Sequence, residues 1–390
     1  MTPRHLTFVC NAIDDKTRVE RGISTDSPAA SKKVFMLCRA LRQSGVRPLI
    51  LSTGRGRQDG SGRYFRQVVR KVDGVPVVYL PFYNRPFLSE LLSLVGPIFA
   101  LFRLARLNGV KTVLFYNRTL TYLPALLTAR ILRMKTVLDL EDGEVGFEPW
   151  SLPGAVSRVT SKFFDALCSG GALLACSALS EVTSLRPTHC YYGTVESQTS
   201  SANWRSPAIT VLFGGTVSRE TGAALLAEAI GDLKREQPEW CSCLRFVVTG
   251  KGNYMEHFSG LQAMGRGPDV VVLGRTSDAE YREVVSQSEV GLALKPTYGD
   301  LANTTFPSKV VELANAGLLV FTTDISDVSK VLGSGALYLT REDPDSLIKG
   351  LQWIVENRAT AAEMARRGAR AVWDRCAAEK TGRTLTEFLF

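Results

Sequence analysis

The chain has 390 residues, of which 45% are hydrophobic and 22% are charged, a composition that excludes collagen, coiled coils and long disordered tracts. This length exceeds the size at which one hydrophobic core keeps growing, so we expect two domains of roughly 200 residues each. The formal net charge of +9 favours polyanionic partners, a class that includes nucleic acids, anionic bilayers and phosphorylated small molecules.

The chain shows no sign of a membrane span or an export signal. The longest uncharged apolar stretch runs from Leu91 to Phe102 and is shorter than the roughly 20 residues that span a bilayer. The first residues contain no basic region that leads to a small-residue cleavage site. We therefore predict a cytoplasmic protein that does not cross a membrane.

Cysteine and histidine usage argues against a metal centre. The eight cysteines are scattered singly, without zinc-finger spacing, and indicate reduced thiols. His5, His189 and His257 are the only histidines and lie far apart in sequence, which leaves few candidates for a Ser-His-Asp triad. We expect no histidine-rich metal centre.

The first half of the chain alternates short apolar runs with longer helical patterns, which is typical of a layered α/β domain. We predict strands at residues 6–12, 47–53, 75–80, 112–117, 135–141 and 172–177. We predict helices at residues 28–43, 86–107, 120–133 and 153–167. Strands that are apolar throughout favour a parallel sheet covered on both faces.

A polar segment at residues 194–208 separates this half from a second series of the same kind and has the composition of a linker. We predict strands at residues 209–214, 244–249, 270–273, 290–294, 319–323 and 336–339. We predict helices at residues 221–235, 254–262, 278–286 and 306–316, and two helical stretches from Pro344 to the C-terminus.

The predicted organisation is therefore two Rossmann-like, doubly wound domains. The first comprises residues 1–193, the linker residues 194–208 and the second residues 209–375, and we expect residues 376–390 to form a helix that crosses back to the first domain. Ligands of open α/β sheets bind at the carboxyl ends of strands, so we expect a cleft between the domains.

The most informative motif lies at residues 300–317. Thr304 or Thr305 can cap a helix there. Lys309 then falls near the first turn, where the helix dipole disfavours a cation by up to about 1 kcal/mol. A diphosphate bound by Ser308 and Lys309 would compensate, and Glu312, three residues further on, could accept hydrogen bonds from ribose hydroxyls. The alternative is an ion pair between Lys309 and Glu312 on a solvated face.

Glycines recur where the predicted strands of the second half end. They occur at Gly214-Gly215, at Gly250-Lys251-Gly252 and at Gly274-Arg275. Glycine allows a backbone to approach a ligand, and Arg219 could bind phosphate through its guanidinium fork. Each signal is weak alone, because many turns between strand and helix contain glycine for geometry only.

Taken together, these motifs resemble the C-terminal domain of family-4 retaining glycosyltransferases of the GT-B fold. The matching segments, in order, are residues 215–222, 246–252, 271–275 and 306–317. The resemblance implies a nucleotide-sugar donor held by the second domain, an acceptor held by the first, no obligatory metal and no cofactor, since the nucleotide sugar is a substrate. It further implies that Gly215 lines the phosphates, that Gly274 and Arg275 line the nucleobase, that Ser308 and Lys309 bind the diphosphate and that Glu312 binds the ribose. The full predicted donor-binding set is Gly215, Thr216, Arg219, Lys251, Gly274, Arg275, Thr305, Ser308, Lys309 and Glu312.

The sequence departs from the family pattern at several positions. Thr304 occupies the place of the first of two paired glutamates, and Thr216 and Thr221 replace a basic pair for which Arg219 could substitute. Glu141 stands where many members have a histidine near the acceptor. We predict Glu141, Asp142 and Lys309 as catalytic residues. The alternative for the two acids, which end a predicted strand, is a role as helix caps or loop ions.

Basic residues precede an apolar helix in the first half. The basic residues are Arg55, Arg57, Arg63, Arg66, Arg70 and Lys71, and the helix contains Leu88, Leu91, Leu92, Val95, Ile98, Phe99 and Phe102, followed by Arg103 and Arg106. This pattern predicts that the protein binds peripherally to an anionic membrane, at the inner face of the plasma membrane. The alternative is a crossover helix that is buried in the first domain. Lys32 and Lys33, early in the predicted helix after Ser27-Pro28, could contact an anionic group, but we expect them to be solvated. Aromatic residues do not interleave with these cations, so we expect no nucleic-acid binding.

The predicted function is transfer of a sugar from a nucleotide diphosphate donor to a hydroxyl acceptor, and the resemblance implies retention at the anomeric carbon. Similarity to a subgroup with Phe-Pro-Ser-Lys at 306–309 implies surface polysaccharide or glycolipid synthesis, with a lipid-linked or growing glycan as acceptor. Two alternatives remain: a nucleotide-sugar epimerase of the same architecture, and a non-catalytic module that binds anionic lipid or polysaccharide.

Overall fold

The computed structural model describes residues 4–56, 62–108, 110–143, 151–197, 202, 204, 206–299 and 302–390, apart from the side chains of Pro86, Leu107 and Asn108. The chain divides into two compact units. The first comprises Met1–Thr194 together with Ala378–Phe390, and the second comprises Val195–Ala377.

The first unit is a layered α/β structure. Its strands are β1 (Arg4–Cys10), β2 (Val46–Ser52), β3 (Tyr64–Phe65), β4 (Val68–Val72), β5 (Val75–Tyr79), β6 (Phe82–Tyr83), β7 (Thr112–Tyr116), β8 (Lys135–Leu140), β9 (Ala172–Leu174) and β10 (Thr188–Cys190). Its helices are α1 (Asp15–Arg21), α2 (Pro28–Gln43), α3 (Pro86–Asn108), α4 (Leu123–Ile131), α5 (Leu152–Leu167) and, from the end of the chain, α13 (Ala378–Leu389).

Eight of these strands form one sheet in the order β10-β9-β8-β7-β1-β2-β5-β4. Its described pairings are parallel except that β4 runs antiparallel to β5. Phe8 of β1 and Leu114 of β7 are fully buried, as expected of central strands covered on both faces. Because β1, β7 and β8 pair in parallel, their carboxyl ends lie at one edge of the sheet, and the strand order reverses between β1 and β7.

Helix α13 belongs to the first unit although it ends the chain. It packs against α2, and a Cβ atom at Gly382 would collide with the carbonyl oxygen of Ala40. Leu385 and Leu389 are fully buried in the same core cluster as Phe8. The last residues of the sequence therefore complete the core that the first residues begin.

The second unit contains a six-stranded sheet whose described pairings are all parallel. Its strands are β11 (Ile209–Thr216), β12 (Leu244–Lys251), β13 (Asp269–Gly274), β14 (Val290–Ala293), β15 (Leu319–Thr322) and β16 (Ala336–Tyr338). Its helices are α6 (Ala223–Glu236), α7 (Met255–Ala263), α8 (Asp278–Ser286), α9 (Lys309–Asn315), α10 (Val328–Leu332), α11 (Pro344–Glu356) and α12 (Arg358–Cys376).

The strand order in the second unit is β13-β12-β11-β14-β15-β16, which is the doubly wound order of dinucleotide-binding folds. The order reverses between β11 and β14. In this arrangement ligands bind beyond the carboxyl ends of the strands at the reversal, and the second unit therefore places its binding edge at the ends of β11 and β14.

The structure differs from the sequence prediction in its smaller elements. Helices α1 and α10 and strands β3, β4, β6 and β10 were not predicted, because each is too short to show a clear period. The C-terminal region holds three helices, not two, with breaks at Asn357 and Ala377. Helix α9 begins at Lys309, three residues later than predicted.

The prediction that no segment is long enough to cross a membrane was wrong. Within the described residues, Phe87–Arg106 of α3 is long and apolar enough to do so by length and composition, and 17% of its most apolar window is buried. The sequence argument stopped at Glu90 and Arg103, yet the helix continues through both charged residues. In the first unit, α3 packs against α4 and β6.

Candidate functional site

The second unit collects a lysine, a tyrosine and two glycines at the carboxyl end of β11. Lys309, the first residue of α9, extends over Gly215, where a Cβ atom would lie 2.6 Å from Lys309 Cε and 3.2 Å from Nζ. Gly215 has a φ of 107°, a conformation that favours glycine. Any side chain at position 215 would therefore strain the backbone and displace the lysine.

Tyr281 of α8 holds the other side of this lysine. Lys309 Nζ donates a hydrogen bond of 3.3 Å to the Tyr281 hydroxyl and lies 5.2 Å from the centre of its ring. The ring in turn packs on Gly214, at which a Cβ atom would lie 3.2 Å from Tyr281 Cε2. The two successive glycines thus make room for a tyrosine and a lysine that converge on one strand end.

Glu312 lies on α9 three residues after Lys309 and is half-buried. Burial raises the pKa of the Tyr281 hydroxyl well above its usual value, and the charge of Glu312 raises it further. Tyr281 therefore remains protonated at neutral pH, so its hydroxyl can accept from Lys309 while keeping a proton to donate. The sequence analysis did not identify Tyr281, because no motif marks this position.

The start of α9 differs from the prediction. Ser308, not Thr304 or Thr305, is the residue before the helix, and its backbone is already helical, with a φ of −51° and no capping bond from its side chain. Thr305 is buried and accepts a hydrogen bond of 2.9 Å from Lys295 Nζ. The exposed Ser308 side chain is thus left at the position where the predicted phosphate would bind.

The remaining predicted donor residues surround the same edge of the sheet. Thr216 and Lys251 end the adjacent strands β11 and β12, which pair residue for residue, and Gly274 ends β13. Thr216, Lys251, Arg219 and Arg275 are exposed. The structure thus brings Gly215, Lys309 and Tyr281 into contact and leaves these four side chains at the solvent boundary.

Some of the glycines have structural reasons of their own. A Cβ atom at Gly250 would collide with the carbonyl oxygen of Gly215, and one at Gly252 with that of Val217. Thr221, which replaces a family basic residue, closes a short turn with Ser218: its hydroxyl accepts from the Ser218 N–H at 3.2 Å. Close backbone packing therefore requires Gly250 and Gly252, and Thr221 closes its turn, whether or not a ligand is bound.

The first unit has a separate charged cluster at the carboxyl end of β8. Lys33 Nζ of α2 lies 3.1 Å from Asp139 Oδ1 and forms an ion pair with Glu141. It also lies 5.1 Å from the centre of the Tyr191 ring. Asn117, which has a positive φ of 54°, fixes the strand end, because its Oδ1 accepts a hydrogen bond of 2.7 Å from the Glu141 N–H.

The prediction that Lys33 is solvated was wrong, since its side chain is 15% exposed and bound to both acids. Burial raises the pKa of Asp139, an effect that Lys33 opposes, and burial lowers the pKa of Lys33. Asp139 Oδ2 has no hydrogen-bond partner among the described residues. Lys33 thus relieves much of the repulsion between the acids, and Asp142 is the one that is exposed to solvent.

The basic stretch between β2 and β5 is partly neutralised. Arg55 pairs with Glu90 of α3 at 2.6 Å, and Arg70 pairs with Glu20. Arg57 lies outside the described residues. Among the described residues, no group of three histidine, cysteine, aspartate or glutamate side chains could hold a metal ion.

One part of the chain matches a known protein family. Residues 208–357 match the family described as Glycosyl transferases group 1. No curated protein matches the chain.

Among solved structures, the chain is similar to sucrose-phosphate synthase from Thermosynechococcus elongatus, with 13% identity, a TM-score of 0.69 and 98% of each chain covered. It is similar to HepE from Anabaena in complex with UDP, with 13% identity, a TM-score of 0.67 and 99% of each chain covered. It is also similar to an E. coli trehalose-6-phosphate structure bound with UDP-2-fluoro glucose, with 10% identity, a TM-score of 0.68 and 99% and 98% of the two chains covered. Residues 208–357 are a glycosyl transferases group 1 domain, and the chain has the GT-B fold.

Proposed function

We propose that the second unit binds a nucleotide diphosphate sugar and that the enzyme transfers the sugar to a hydroxyl acceptor. The observation that carries the proposal is the contact of Lys309 with Gly215 at the carboxyl end of β11. The ammonium lies where the strand order reverses, which is where doubly wound sheets bind phosphates. Two of the similar structures contain UDP or a UDP-sugar, which supports the same kind of donor here.

In this proposal the donor diphosphate lies over Gly215 and accepts hydrogen bonds from Lys309 Nζ and the Ser308 hydroxyl. Glu312 accepts from the ribose hydroxyls, and Gly274 and Arg275 border the nucleobase. Tyr281 is a positioning residue that holds the ammonium over the strand end. Thr216, Arg219 and Lys251 are exposed at the same edge and add hydrogen-bond donors around the phosphates.

Cleavage of the bond between the anomeric carbon and the phosphate oxygen releases a nucleotide diphosphate, so negative charge develops on that oxygen. Lys309 stabilises this charge as it forms, which accelerates the reaction more than it strengthens ground-state binding. With retention, the leaving phosphate oxygen takes the acceptor's proton while the acceptor oxygen bonds to the anomeric carbon. This route requires neither a histidine base nor a metal ion.

The first unit would bind the acceptor at the carboxyl end of β8. Asp142 is exposed there and can accept a hydrogen bond from an acceptor hydroxyl. Lys33 forms an ion pair with one carboxylate oxygen of Glu141. We therefore assign the second carboxylate oxygen of Glu141 a role in orienting the acceptor. The acceptor that fits the proposal is a lipid-linked or growing glycan, within surface polysaccharide or glycolipid synthesis in the cytoplasm.

The test is release of nucleotide diphosphate from a sugar nucleotide, measured with and without acceptor. We expect release that depends on acceptor, and loss of release in Lys309→Met. A nucleotide-sugar epimerase would convert the donor without any acceptor, and a non-catalytic binding module would convert nothing. Either result would overturn the proposal.

A further inference from the structure

Three consecutive helices form a layer on the first unit, in which α3 packs against α4 and α4 packs against α5. The outer side of this layer is apolar. Phe99 of α3 is 70% exposed, Ile131 at the end of α4 is 74% exposed and Leu152 of α5 is 79% exposed. Exposed apolar side chains that continue across three adjacent helices are unusual for a soluble surface and indicate a site of interaction.

Helix α5 shows the pattern most clearly. Leu152, Val156, Val159 and Phe163 are all exposed and follow one another at spacings of four, three and four residues. This spacing places them on one stripe of the helix, while Phe164 on the other side is fully buried in the unit. The exposed stripe is therefore not a part of the core that happens to reach the surface.

Cations border this stripe. Arg158 and Lys162 are exposed on α5, one helical turn apart, and Arg130 is exposed on α4. Arg103 and Arg106 are exposed at the end of α3. Long basic side chains beside apolar ones can keep their charge at the headgroup level while the apolar groups enter the acyl boundary.

The acids of the three helices do not cancel this charge. Glu90 of α3 is paired with Arg55 at 2.6 Å, and Asp165 of α5 is paired with Arg118 at 2.7 Å. Within the helices α3, α4 and α5, these are the only acidic residues. The outer side of the layer therefore combines apolar groups with a net positive charge.

We propose that this outer side of α3, α4 and α5, the α3–α5 face, docks on the surface of an anionic bilayer. A second copy of the chain would place like charges against each other, whereas an anionic lipid surface complements both the cations and the apolar groups. The proposal is independent of the donor site, which lies in the second unit. It also does not use the basic stretch before β5, whose Arg55 and Arg70 are paired with acids.

The test is flotation of the full chain with vesicles of phosphatidylcholine alone and of equal parts phosphatidylcholine and phosphatidylglycerol. We expect binding to the anionic vesicles that high salt releases. Replacing Arg158→Gln and Lys162→Gln together should weaken binding about 25-fold, at about fivefold for each cation removed. Adding Val159→Gln and Phe163→Gln to this variant should abolish most of the remaining binding, because insertion of apolar groups stabilises the docked state.

Matched controls are Val19→Gln with Met264→Gln for the apolar pair, and Lys349→Gln with Arg367→Gln for the cations, all on exposed positions of other elements. These should float as the original chain does. Equal binding by the α5 variants and the original chain, or equal binding to neutral vesicles, would overturn the proposal.

Two other results would also overturn it. A lipid-free dimer in sedimentation velocity that the α5 variants dissociate would show that a second copy covers the face. Retention that only detergent reverses would show that α3 inserts across the bilayer. Thermal shift with UDP, measured on every variant, reports on the donor site separately, so failure of membrane docking and failure of donor binding give different results.

Discussion

Replacing Lys309 with methionine tests the proposed donor site directly. The variant Lys309→Met keeps a side chain of similar length over Gly215 but loses the ammonium that lies beside the Tyr281 hydroxyl. A hydrogen bond to a charged partner contributes about 1.5 to 3 kcal/mol, so removal of about 2 kcal/mol should weaken UDP binding about 30-fold. Titration calorimetry measures this change in the dissociation constant.

The same substitution should leave the fold nearly intact. The bond to Tyr281 is long, at 3.3 Å, and Lys309 is half-buried, so the free energy of unfolding should change by less than about 1 kcal/mol. Lys349→Met is the matched control, because Lys349 is an exposed lysine of α11 in the same unit. If Lys309→Met binds UDP, GDP and ADP as the original chain does, at a level where binding is measurable, the assignment of Lys309 to the diphosphate is refuted.

Four further predictions follow from particular contacts. Gly215→Ala should destabilise the second unit by about 1 to 3 kcal/mol in urea unfolding, because φ is 107°, and should also weaken UDP binding by displacing Lys309; Gly260→Ala, which meets no neighbouring atom, is its control. Lys33→Met should destabilise the first unit by about 3 to 5 kcal/mol, because it leaves buried Asp139 without its cation, and adding Asp139→Asn should recover part of that loss. The backbone N–H of Ser346 donates to Asp343 and lowers the pKa of its carboxyl group. This helix cap therefore stabilises the second unit at pH values above the usual pKa of aspartate, and the stabilisation is lost as the pH falls through the lowered pKa. Asp343→Ala should lower the urea midpoint at neutral pH but not in strong acid. Sugar transfer should continue unchanged in excess chelator, and loss of turnover that added Mg²⁺ restores would contradict the metal-free proposal.

The larger elements could be predicted because local signals agree with tertiary packing. Helix α2 spans residues 28–43 as predicted, where Ser27 accepts from Ala30 N–H and Pro28 fits the first turn. Helix α8 also has the predicted bounds, and a capping box between Ser277 and Glu280 fixes its start. Long apolar strands and capped helices carry enough information along the sequence to place both.

The contacts within the candidate site were predicted only in part, because they join residues that are distant in sequence. The sequence indicated Gly215 and Lys309 separately, and their contact depends on how α9 packs beside β11. Tyr281 lies 28 positions before Lys309 and no local pattern marks it. Lys33 was misjudged for the same reason, since its partner Asp139 is 106 positions away. Burial and pairing of this kind are properties of the folded chain.

The return of α13 to the first unit has a practical consequence for dividing the protein into its two units. A fragment that stops at Thr194 would lack Leu385 and Leu389, and the core residues of α2 that α13 covers would be exposed to solvent. Such a half-protein should aggregate when expressed alone, while one in which residues 378–390 are grafted behind residue 194 through a short flexible spacer should fold and stay in solution. An exchange of first units between proteins of this architecture would therefore have to include residues 378–390 together with residues 1–194.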